Sequence, residues 1–270
     1  MAIFSNVTKI FSGFYNGLSK FPKALGFMFK HRLIWFFAFP VLLNILFWVI
    51  GFELVSQLSD FIMAYALEIL TEFDFGLDQD GWVYKGIYGV LWLSFRILYF
   101  ILFAYLGGYV ILLFLSPILN VLSQKVEERS SGKSFPFSIL NFLNDVMRSI
   151  AITVRNFMLE LLFIGGFLLL SLIPPLGLFL PFALFFVSAY YYGFAMMDYS
   201  LERQNYGIPK SIKFMRKNTG STMAIGIPMA LVLLIPFVGS LLAGFVAIIS
   251  VVAGNLESLE LISQNNSDKK

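Results

Sequence analysis

The chain has 270 residues, 59% of them apolar and only 13% charged. A water-soluble domain averages about 45–50% apolar and about 25% charged, so too few charges are present here to coat a soluble surface, and the composition favours an all-α integral membrane protein. Cysteine is absent and His31 is the only histidine, which excludes disulfides, thiolate chemistry, His-based triads and multi-His metal centres; no metal, no other cofactor and no catalytic residue is expected.

Residues 1–32 carry Lys9, Lys20, Lys23, Lys30 and Arg32 without one acid. Ile3, Val7, Ile10, Phe11, Phe14, Leu18, Phe21, Leu25 and Met28 recur mostly at spacings of three and four, the stripe of an amphipathic helix, which Pro22 is expected to kink or split. The stripe suits an interfacial helix on an anionic leaflet, and equally a helix packed on the rest of the protein. The basic residues run up to the first long apolar segment and no small-residue cleavage site follows, so a cleavable signal peptide is not expected. Leu33 to Phe52 holds no charge and can cross a bilayer core of about 30 Å, with Pro40 and Asn44 inside it. Residues 53–81 then carry acids and no Lys or Arg; a helical period continues through Ile69, and 74–81 reads as a loop.

Residues 82–122 form a second apolar run, broken only by Lys85 and Arg96. A helix of that length would outreach the bilayer, so it must protrude, tilt or break, and Gly107-Gly108 and Pro117 are the candidate break points. Residues 123–155 are mixed and polar, with an amphipathic stripe from Ile139 to Ile150. Two apolar stretches follow, 156–197 and 223–254. In the middle of each lies an Ile-Pro-x-x-Gly cluster, with Pro174 and Gly177 in the first and Pro236 and Gly239 in the second. Pro and Gly together favour a tight reversal, so each stretch reads as an apolar helical hairpin, crossing fully or only part way. The arms of the second are short for a full span. The whole of 1–270 reads as one membrane domain, and the polar tail, 257–270, is expected to fray. Lys and Arg crowd the N-terminal arm, 123–155 and 198–220, which puts those segments inside and 53–81 outside.

In their order and spacing these segments resemble a known family. Pro40-Val41-Leu42-Leu43-Asn44 after a short basic segment is similar to the first span of CysZ-type sulfate permeases, grouped with the etoposide-induced membrane proteins. Ser116-Pro117-Ile118-Leu119-Asn120, Glu127-Glu128-Arg129, Asn144-Asp145-Val146-Met147-Arg148, both Ile-Pro-x-x-Gly turns and Met197-Asp198-Tyr199-Ser200-Leu201-Glu202-Arg203 also resemble that family. The resemblance implies a bacterial inner-membrane protein with two long transmembrane helices and two hemi-penetrating hairpins, assembled as a homo-oligomer. In its CysZ branch it implies sulfate uptake. CysZ proteins carry a Gly-x-Arg-Arg-like element before the first span, associated with the sulfate site. Ile34 and Trp35 stand at those positions here.

Two cations are candidate anion contacts. Arg32 lies two residues before the replaced pair, and reads either as a ligand or as an inner-face anchor that snorkels to headgroups. Arg96 lies in an apolar run about 16 Å along the helix from Lys85; it either faces a partner or water within the bilayer or sits near the interface on a protruding helix end. Asp198 reads as a partner for Arg155 or another base, or as a helix-end carboxylate. Lys210, Lys213, Arg216 and Lys217 read as a topology determinant. Nucleic acid is a poor partner, because membrane orientation already accounts for the basic residues. No enzyme constellation is present, and nothing in the sequence brings Asp145 and Glu160 together. Two functions follow: a transporter or channel for a small oxyanion, sulfate by resemblance, or a non-transporting scaffold of the same fold.

Overall fold

The structure is a computed structural model that describes residues 2–72, 81–132, 139–173, 177–235 and 237–267. Every regular element among them is helical. The order is α1 (Ala2–Lys30), a 3-10 turn (Leu33–Phe37), α2 (Ala38–Glu72), α3 (Trp82–Ser131), α4 (Ile139–Leu170), α5 (Leu180–Arg203), α6 (Ile208–Lys217), α7 (Thr219–Leu233) and α8 (Val238–Ser267). Four stretches among the described residues are long and apolar enough to cross a bilayer: Val110–Ser131, Leu143–Leu170, Leu180–Arg203 and Val238–Ser267. Thr8–Lys30 with Leu33–Phe47 makes a fifth if taken as one broken span, but the chain turns through 107° between them. The protein is a multi-pass membrane protein.

α3 has 50 residues and rises about 75 Å, far beyond a core of about 30 Å. It does not break at Gly107-Gly108 or at Pro117. Pro117 has no N–H and so leaves the carbonyl of Leu113 without its helical donor. The hydroxyl of Ser116 donates to that carbonyl at 2.8 Å, which removes the reason to break. α3 instead ends at Gly132, whose left-handed backbone (φ 69°) lets its N–H reach Glu128 O at 3.1 Å. α1 likewise runs unbroken through Pro22.

α7 is the centre of the bundle and packs on α1, α5 and α8. It can do so because its contact positions are small. A Cβ at Gly226 would lie 1.8 Å from Ala189 O, and one at Gly193 would lie 1.7 Å from Thr222 O, so α5 and α7 meet backbone against backbone. A Cβ at Gly220 would lie 2.0 Å from Ile10 O of α1. Where lipid is as apolar as the side chains, such close approach and its dispersion energy are what hold helices together.

Both sequence-predicted reversals coincide with helix ends. α4 stops at Leu170 and α5 starts at Leu180; Gly177 lies between them and donates its N–H to Ile173 O at 3.3 Å. α7 stops at Leu233 and α8 starts at Val238, across Phe237 with φ 62°. A Cβ at Gly239 would lie 2.3 Å from Val232 O, so the turn closes only on glycine. Pro174 and Pro236 fall outside the described residues, as do residues 74–80 of the loop expected over 74–81. With 15 residues α7 rises about 22 Å, short of the core thickness. The tail differs from expectation. α8 stays helical to Ser267, with Glu257 and Ser258 buried, because that face packs on α1 and α3 instead of facing water.

Candidate functional site

Polar side chains converge around the C-terminal end of α5 in two adjoining networks. In the first, Glu127 of α3 is fully buried and faces Arg203, the last residue of α5. Arg203 Nε donates to Glu127 Oε2 at 2.9 Å. Its Nη2 donates to Ser123, and to Asn255 Oδ1 of α8 at 3.4 Å. Ser123 donates to the same Asn255 oxygen at 2.8 Å, and Gln204 donates to the other Glu127 oxygen. Arg203 Nη1 is buried with no hydrogen-bond acceptor among the described residues. Three helices are tied here through one guanidinium. Water is excluded, so each bond is stronger than at a surface and the loss of one partner costs more.

The second network is centred on Arg148 of α4. Its Nε and Nη2 donate to the two carboxylate oxygens of Asp198, each at 3.1 Å, the forked geometry that suits guanidinium and carboxylate. Nη1 donates to Tyr206 O at 2.6 Å and Nη2 to Ser211 at 3.0 Å, while Glu202 stands 3.5 Å from Nε. The 204–207 turn and α6 are thereby fixed to α4 and α5. Asp198 thus pairs with Arg148; Arg155 instead donates to Asn156 Oδ1 at 3.1 Å and lies over the Phe194 ring at 5.7 Å.

Among the described residues, three further buried charges, Lys20, Glu257 and Glu160, stand outside these networks. Lys20, 3% exposed, leaves the basic face of α1 and binds Glu260 and Glu257 of α8, the latter at 3.4 Å. Glu160 of α4 accepts from Ser188 of α5 and lines a cavity of about 20 Å³ with Asn156, Thr153 and Tyr191. Asp145 lies four helical turns from Glu160 on α4, about 22 Å away, so these carboxylates do not converge.

The two candidate cations lie apart from all of this. Arg32 is exposed at the break after α1, in left-handed backbone with φ 56°. Arg96 lies one helical turn before Phe100, whose ring meets Phe237 of the second reversal edge-on at 5.8 Å. Arg96 is therefore about 6 Å past that reversal along α3, and its guanidinium lies 4.2 Å from the Trp92 ring centroid.

A family model described as sulfate transporter CysZ/etoposide-induced protein 2.4 matches residues 20–243, most of the chain. The chain belongs to the CysZ/etoposide-induced family. No curated protein sequence matches it. The match takes in Glu127, Arg148, Asp198, Glu202 and Arg203, whereas their α8 partner Asn255 falls beyond it. In this CysZ-type chain the sequence reading missed the networks and Lys20. Lys20 had one detectable signal: with Gly13, Gly17 and Ala24 it shares a helical face whose other members are small, and a lysine on such a face must be buried when the face packs.

Proposed function

We propose that this protein conducts a small oxyanion, sulfate by its family, across the bacterial inner membrane as a homo-oligomer. The observation that carries the reading is the family match over residues 20–243 of a multi-pass helical bundle. Arg32 and Arg96 contact the anion at the two ends of the route, Arg32 at the inner break after α1 and Arg96 beyond the second reversal. A cation at either mouth raises the local anion concentration, and an arginine near the hydrocarbon edge needs water or a ring beside it. The ionic networks hold the helices in register, with both guanidinium groups engaged by carboxylates and neutral oxygens of neighbouring elements. One observation favours the competing reading of a non-transporting scaffold: Ile34 and Trp35 replace the family's arginine pair.

The test is sulfate and selenate uptake into proteoliposomes. Orientation is read from cysteines placed in this cysteine-free chain at Lys85 and Lys213, which should label from opposite faces. Arg96→Gln should cut uptake by about tenfold or more with insertion intact, and Arg32→Gln should cut it less. Wild-type vesicles that take up neither anion under any imposed gradient would leave the scaffold as the function.

A further inference from the structure

A large polar cavity lies outside both networks. It has a volume of about 590 Å³ and opens on the inner face between α1, the α6–α7 junction and the end of α8. Lys9, Arg216 and Lys217 line it with Asn16, Gln264 and Asn265, and none of its lining residues is a carboxylate. Lys217 Nζ donates to Asn265 Oδ1 at 2.6 Å, a neutral partner, so the ammonium keeps its full charge. Three cations around one cavity without a carboxylate among the described lining residues repel one another and favour an anion between them.

A second observation identifies the kind of anion. α1 has three faces. Gly13, Gly17, Lys20 and Ala24 pack against the bundle. Lys9, Ser12 and Asn16 line the cavity. Phe11, Tyr15, Leu18, Leu25 and Phe29 are exposed, with Phe11 at 70% and Tyr15 at 74%. The cationic cavity therefore borders an apolar surface that continues along the same helix. A free inorganic anion makes no use of that surface. A molecule with an anionic phosphate head and acyl chains uses both.

We infer that this cavity is a specific headgroup site for an anionic phospholipid, with the phosphodiester among Lys9, Arg216 and Lys217 and the chains along the exposed face of α1. The site does not depend on whether the protein transports anything. It gives the basic α6–α7 segment a role beyond orientation, by holding α1 to α7 and α8 through a lipid.

Native mass spectrometry of the full chain in neutral detergent tests it, with phosphatidylglycerol and phosphatidylcholine added in turn. The wild type should retain phosphatidylglycerol about tenfold more tightly than phosphatidylcholine. Lys9→Gln/Arg216→Gln/Lys217→Gln should abolish the preference. So should Asn16→Glu, which adds a carboxylate to the cavity wall and leaves every cation in place. Lys125→Gln, at an exposed cation on α3, should keep it. Equal retention of the two lipids by the wild type overturns the inference, as does a preference unchanged in the triple variant or in Asn16→Glu. Displacement of the lipid by free sulfate or phosphate at millimolar concentration and constant ionic strength also overturns it, because the cavity would then belong to the free anion.

Discussion

Arg148 makes four hydrogen bonds to three residues of other elements, and Asp198 is 3% exposed. Removal of one side of such a pair strands the other in a low-dielectric site, a loss of about 3–5 kcal/mol. Arg148→Ala and Asp198→Ala should each lower thermal stability in detergent by that order. The double substitution should cost less than the two singles together, because it leaves neither charge stranded. A double-mutant cycle with a coupling near zero would show that the pair does not hold α4 to α5. The sequence offered Asp198 as a partner for some base, but not which one. Arg148 and Arg155 lie about two turns apart on one helix, and only the rotation at which α4 meets α5 selects between them.

At the level of the elements, helical character and the helix ends between Leu170 and Leu180 and between Leu233 and Val238 were legible and continuity was not. An apolar run with Pro and Gly at its centre reads as a hairpin because those residues disfavour helix wherever they stand. Pro117 carries the same signal inside α3, yet the helix continues, because the cost of its missing N–H is offset by Ser116. The interruption depends on whether the freed carbonyl finds a donor, and only the structure shows that Ser116 is turned towards it. Packing partners were equally hidden. Gly226 and Gly193 read as ordinary glycines of apolar helices until α5 and α7 are brought together. Gly226→Val should force the helices apart and cost about 1–3 kcal/mol, visible as a lower melting temperature and a shifted oligomer profile. Gly26→Ala is the matched control: a Cβ there meets nothing within 4 Å, and the change should be neutral or stabilising by up to about 1 kcal/mol. Equal effects from the two would mean that close approach at α7 is unimportant.

For the molecule as a whole, composition alone indicated a membrane bundle, and the family match agrees with the resemblance carried by its motifs. The ionic network was out of reach, since Glu127, Arg203 and Asn255 come from three distant parts of the chain and nothing in the sequence pairs them. The same distance bears on how the protein is made. Lys20 and Glu260 are 240 residues apart. At about 5–20 residues per second, translation separates them by tens of seconds. For most of that interval α1 exists without α7 and α8, and its lysine has neither Glu257 nor Glu260 to meet. The nascent helix must wait among headgroups or in water and dock only when α8 has been threaded. A cysteine at Ala24, buried in the finished bundle, gives the clock. It should react freely with a maleimide in ribosome-arrested chains that end at residue 235 and be protected in the released protein; protection in both would mean that α1 docks early. On this timetable α1 docks well after it is made, and a stop codon before α8 leaves a bundle in which Lys20 lacks its partners.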